Sequence, residues 1–170
     1  AFYVGGRALV RGELAPELAS ATSKRAGHIV VGIATILAAL AIDPTSADTH
    51  YNLGNALAEL GRPGEAVASF RAAIALRPSH PESHYNLANA QSSGGDFAAA
   101  EASYRRALAI RPDYLEARNN LGKLLQSLGR YDEALSCFDM AVRLAPEHGD
   151  VHYNRALLLL LVGRRAEGWA

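Results

Sequence analysis

Apolar residues return at helical intervals in two short runs, and the pair of runs then recurs along the chain. Leu53, Leu57 and Leu60 fall three or four places apart, and Ala66, Phe70, Ala73 and Ile74 do the same a few residues later. Such spacing puts each set on one face of an α-helix. Gly61 and Pro63 lie between the two sets. Glycine can take the left-handed conformation that ends a helix, and proline suits the first turn of the next. The pattern therefore predicts a helix, a tight turn and a second helix. Pro78 stops that second helix, because proline has no N–H and restricts the residue before it.

The same unit returns every 34 residues. Pro44, Pro78, Pro112 and Pro146 mark the period, as do Gly61, Gly95, Gly129 and Gly163, and the blocks HYNLGNALAELG, HYNLANAQSSGG, RNNLGKLLQSLG and HYNRALLLLLVG align on them. A fixed period of this length signals a stack in which each unit touches only its neighbours, with no single central core. Small residues recur at Gly54, Ala66 and Ala73, at Ala88, Ala100 and Ala107, and at Gly122, Ala134 and Ala141. They allow helix axes to approach, while Phe70, Tyr104 and Phe138 fill the space between units. Asp96 and Asp132 are placed to cap or favourably charge the second helices, and Asp48, Glu82, Glu116 and Asp150 to do so for the first. Counting back from Gly61 reaches Gly27, so Gly27 to Pro44 is expected to be the second helix of a degenerate unit, with Gly32, Ile36 and Ala39 at the small, large and small places.

Lysine plus arginine balances aspartate plus glutamate at 17 each, and no basic block with interleaved aromatics occurs, so the footprint of a nucleic-acid binder is missing. The single cysteine, Cys137, rules out an internal disulfide framework and points to a reducing, cytoplasmic setting; Ser69 and Ser103 hold its place in other units. The most apolar run, Ile29 to Ile42, is shorter than the ~20 residues that cross a bilayer, so no membrane role is expected. Ala1 is not a methionine and Ala170 falls inside an expected helix, so the chain is expected to belong to a longer one.

These residues resemble the tetratricopeptide repeat, with its leucine and glycine or alanine pair in the first helix, its alanine, aromatic and alanine in the second, and its closing proline. The resemblance implies an all-α fold, a right-handed α-solenoid of stacked helix-turn-helix units. It divides the chain into a degenerate unit or cap over 1–46, full repeats over 47–80, 81–114 and 115–148, and a partial fourth over 149–170. Residues 13–26 fit a first helix poorly, and 1–12 carry no assignable pattern. The arrangement is also similar to the repeat superhelix of O-linked N-acetylglucosamine transferases.

In such a stack the first helices line the concave face, so a residue recurring on them forms a ladder along the groove. Asn52, Asn86, Asn120 and Asn154 form one ladder, Asn55 and Asn89 with Lys123 a second, and Tyr51, Tyr85 and Tyr153 a third, broken by Asn119. An asparagine amide offers two donors and an acceptor. It can pair with the backbone of an extended peptide, or it can serve hydrogen bonding between repeats. The expected function is a non-catalytic scaffold holding a protein or extended peptide in the groove, with these ten residues as contacts and no cofactor. Two alternatives stand beside it. One is the substrate-recognition arm of a larger O-linked N-acetylglucosamine transferase-like enzyme, and the other is self-assembly through the apolar ends Ile29 to Ile42 and Leu157 to Val162. His80 with His84 and His148 with His152 have a spacing that could bring two imidazoles together, but no third ligand accompanies them, and His50, His84 and His152 are expected to pack between helices. No nucleophile with base and orienting group, phosphate loop or carboxylate pair is found.

Overall fold

The computed structural model describes residues 24–163. Eight α-helices follow one another there: α1 (Lys24–Ile42), α2 (Ala47–Glu59), α3 (Pro63–Leu76), α4 (Pro81–Ser93), α5 (Phe97–Ile110), α6 (Leu115–Ser127), α7 (Tyr131–Leu144) and α8 (Gly149–Leu161). Each packs on the next, and the first helices of neighbouring units also touch, α2 on α4 and α6 on α8. The result is an all-α solenoid whose first helices crowd along one side.

The turn inside each unit is closed by its glycine. Gly61, Gly95, Gly129 and Gly163 all have positive φ, between 71° and 83°, where a Cβ would be strained. In the first unit the Gly61 N–H bonds the Ala58 carbonyl and the Arg62 N–H bonds that of Leu57, at 3.0 and 2.9 Å. This is the paired closure that satisfies the last carbonyls of a helix, and it recurs at Gly95 and Gly129. Pro63 then occupies the first turn of α3. Asp96 accepts from the Ala99 N–H at the start of α5, whereas Asp132 adds only charge to the first turn of α7. The residues before the closing prolines, Arg77 and Arg111, leave the helix with φ of −137° and −127°, as a following proline requires.

Packing runs between units. One cluster joins Ile33 of α1 to Leu53, Leu57, Ala66, Phe70, Leu87 and Ala90, and a second joins Ala88, Ala100, Tyr104, Leu121, Leu125, Phe138 and Leu158. Phe70 and Phe138 are fully buried. A Cβ added at Gly54 would stand 2.6 Å from the Phe70 ring, and one at Gly122 would stand 2.7 Å from Phe138. The small places of the first helices are thus the seats of the large residues of the second.

The first unit departs from expectation. Helix α1 runs through Gly27 without a turn, and its fully buried residue is Ile33 rather than Ile36, which is half-buried. Ile33 belongs to the α2 cluster, so burial follows the neighbour that covers the helix rather than the repeat register. Residues 1–12, the part of the poorly fitting segment 13–26 before Lys24, and the end of the partial fourth repeat 149–170 after Gly163 lie outside the described residues.

Candidate functional site

The asparagine ladder is a set of staples between repeats. Asn86 Nδ2 donates to the Tyr51 hydroxyl and to Asn55 Oδ1 of the preceding unit, at 3.0 and 2.8 Å. Asn120 Nδ2 donates in the same way to the Tyr85 hydroxyl and Asn89 Oδ1, at 3.1 and 3.2 Å. Asn154 Nδ2 donates to Asn119 Oδ1 at 2.9 Å. The amide donors expected to face a peptide are therefore engaged within the stack, while the carbonyl oxygens of Asn86, Asn120 and Asn154 receive no hydrogen bond among the described residues. Asn52 is exposed.

The tyrosines take part in the same joints. Tyr51 is half-buried against Phe70 and meets His80 edge-on, with centroids 5.3 Å apart. Tyr85 packs between Tyr104 and Tyr114, and the Arg111 guanidinium lies over Tyr114. Burial pushes the Tyr104 and Tyr114 phenols well up, with the Tyr85 ring adding to the effect at Tyr104. Both therefore stay neutral. Tyr153, the counterpart of Tyr51 and Tyr85 on α8, is 67% exposed.

Between α4 and α6 the surface dips into an open groove of about 390 Å³. Asn89, Asn120 and Lys123 meet there, with Ser92, Ser93 and Ser127 beside them. Three of the ten residues expected as contacts, Asn89, Asn120 and Lys123, thus line one concavity. Asn89 Oδ1 accepts from both Asn120 and the Tyr104 hydroxyl.

The histidines make a bond that the expectation of packing between helices did not include. His50, His84 and His152 each place Nε2 on a proline carbonyl six residues earlier, that of Pro44, Pro78 and Pro146, at 3.0, 2.9 and 2.7 Å. Arg118 reaches the Pro112 carbonyl at 2.6 Å and so makes the same bond with a different side chain. Each latches the loop that enters its own first helix. His80 is bonded to Ser83 and faces Glu82, and no group of three or more metal-ligating side chains forms among the described residues.

A second set of contacts escaped the sequence reading. Arg77 holds Asp48 through both carboxylate oxygens, at 2.7 and 3.0 Å, and Arg111 holds Glu82. Arg77 and its hydrogen bond keep the Asp48 carboxyl below its ordinary value. Burial acts to raise Glu82, but the bond from Arg111 and a backbone bond outweigh it and leave that carboxyl low. The 29-residue spacing between acid and arginine was the available signal. Cys137 is half-buried, and burial pushes its thiol up, away from the reactive thiolate.

Fold and site together define a helical-repeat scaffold. Tetratricopeptide repeat models match residues 51–115 and 93–158, and a TPR repeat model matches residues 37–61. The matches run unit after unit through the stack, and the chain belongs to the tetratricopeptide repeat family, whose domains generally mediate protein interactions. A crystal structure of MamA is similar with a TM-score of 0.79 at 25% identity, covering 84% of this chain and 83% of that one. A further crystal structure of MamA protein gives 0.78 at 22% identity over 96% and 87% of the two chains, a likeness of fold. The TPR domain of Arabidopsis OM64 gives 0.63 at 25% identity, covering 66% of this chain and 93% of that one. No curated protein sequence matches the chain. None of the described helices is long and apolar enough to cross a membrane.

Proposed function

We propose that this chain is a non-catalytic, cytoplasmic scaffold that binds an extended protein segment along its first-helix face, with repeat units bounded by the closing prolines. The observation that carries the reading is the groove between α4 and α6, where Asn89, Asn120 and Lys123 present polar atoms that have no hydrogen-bond partner among the described residues. The staples give the ladder two roles. The amide nitrogens of Asn86, Asn120 and Asn154 hold neighbouring units in register, and their carbonyl oxygens remain to accept from backbone N–H groups of a bound segment. Fixing those acceptors in advance lowers the ordering cost of binding. Asn52, Tyr153 and the joint tyrosines flank the same path. The cytoplasmic setting rests on the lone cysteine.

Random dodecapeptides displayed on phage and selected on the 170-residue chain supply the test. Bound peptides are expected to shift the side-chain amide signals of Asn86, Asn89 and Asn120 in NMR spectra, and to leave the second-helix residues Arg71 and Arg106 unmoved. Shifts confined to the second helices, or no selected peptide at all, would end this reading.

Self-association keeps one observation in its favour. Tyr153, Leu157 and Leu161 on α8, and Val31 and Ile42 on α1, are exposed. Sedimentation velocity at rising concentration would show a dimer if these faces pair, and a strictly monomeric sample would exclude pairing.

A further inference from the structure

We infer that Lys123 makes the groove between α4 and α6 a subsite for an acidic side chain, so that the bound segment carries an aspartate or glutamate at one position. The inference rests on the peptide-binding reading above and adds the chemistry of what is bound.

The argument starts from a break in the ladder. Asn55 and Asn89 serve as acceptors in their staples, and Lys123 stands at the next equivalent place. An ammonium cannot accept a hydrogen bond. Among the described residues Asn154 accordingly donates to Asn119 alone, and the lysine makes no hydrogen bond to the next unit. Lys123 is exposed, and among the described residues it makes neither an ion pair nor a hydrogen bond. Arg77, Arg111 and Arg130 each hold a carboxylate of another helix; Arg71 and Arg106 share with Lys123 the lack of such a partner among the described residues, but of these three cations Lys123 is the one that lines the groove.

The groove around this charge is rich in donors. Asn89 spends its oxygen on Asn120 and Tyr104, which leaves its N–H groups for a ligand. Ser92 and Ser93 add hydroxyls with no protein partner among the described residues, while Ser127 donates to the Leu124 carbonyl. No acidic side chain lines the groove. One cation beside several neutral donors, in an open space of about 390 Å³, matches a carboxylate, which accepts only. Asn86, Asn120 and Asn154 offer acceptors to the backbone, so Lys123 adds a preference among side chains to a ladder that reads none.

The test compares peptides selected on the wild-type chain with those selected on Lys123→Asn, which restores the residue of the other repeats at an exposed site. Wild type is expected to enrich Asp or Glu at one fixed position, and the variant to select peptides without it. In titrations by fluorescence anisotropy, changing that acid to its amide should weaken binding about three- to fivefold with wild type, the size set by a solvent-exposed ion pair. The same change should have no effect with Lys123→Asn, and Lys123→Arg should retain the preference. Peptides selected without an acidic position, or an acidic preference that survives Lys123→Asn, would overturn the subsite while leaving the groove reading intact. Failure of both chains to select any peptide would remove the groove reading and the subsite with it.

Discussion

Replacing Asn86 by alanine is expected to loosen the stack without touching any helix. The change removes two hydrogen bonds, those to Tyr51 and Asn55 at 3.0 and 2.8 Å. At ~0.5–1.5 kcal/mol per bond the loss would be ~1–3 kcal/mol. Both partners are half-buried, so water can reach the vacated groups, which places the expected cost in the lower part of that range, about 1–2 kcal/mol. Asn154→Ala removes a single bond and should cost ~0.5–1.5 kcal/mol, while exposed Asn52→Ala should stay within about 0.5 kcal/mol of wild type. Urea denaturation followed by circular dichroism gives each value from the midpoint and slope. Helicity before the transition should be unchanged, because the lost bonds join units and close no helical turn. A double-mutant cycle of Asn86→Ala with Asn55→Ala should show a coupling of at least about 0.5 kcal/mol. The reasoning fails if Asn86→Ala is no more destabilising than Asn52→Ala, or if the cycle shows no coupling.

Three other perturbations address the remaining devices of the fold. Gly122→Ala drives a Cβ to 2.7 Å from the buried Phe138 ring; overpacking of ~1–3 kcal/mol against a helix-propensity gain of ~1 kcal/mol leaves a net loss of up to about 2 kcal/mol, relieved by Phe138→Leu and measured by urea midpoints. Arg118→His should be nearly neutral, since histidine makes the same proline-carbonyl latch in the other units, whereas His84→Ala should cost ~1 kcal/mol in thermal or urea unfolding. Asp48 and Glu82 have carboxyls lowered in the folded state, so their contribution is present above the unfolded carboxylate pKa of about 4 and is lost as pH falls through the lower folded values. The stability gap between wild type and Arg77→Ala/Arg111→Ala should therefore be full above about pH 5 and narrow progressively as the pH falls below about 4, and a gap independent of pH would refute that assignment.

Much of the candidate site was legible as positions and little of it as roles. The period located Asn86, Asn120 and Asn154 on equivalent places, and both uses of an amide were open from the sequence. Whether an amide can staple one unit to the next depends on the distance between successive first helices, and only the stack brings Asn86 within reach of Tyr51 and Asn55. The same holds for His50, His84 and His152. Their recurrence reads as packing, yet their bonds go to proline carbonyls, and Arg118 shows that a hydrogen-bond donor is what the place requires. The meaning of Lys123 also waited on the structure, because a lysine in an asparagine series becomes informative only once the series is known to supply acceptors.

By itself the sequence determined the unit and its repetition. Apolar spacing, a glycine that must reach positive φ and a proline that cannot continue a helix act within a few residues, so Gly61, Pro63 and Pro78 define their turns from local chemistry. Gly54 and Phe70 were also visible as a small place and a large one, but not that the ring seats on the glycine of its own unit. Tertiary structure alone decided how units join. The staples span 31 to 35 residues and the acid–arginine pairs 29, separations at which no local preference acts and only the packing of one unit on the next sets the distance. It decided the edge of the pattern as well: α1 runs through Gly27 and buries Ile33, because the side of a helix that is buried is chosen by the neighbour it meets.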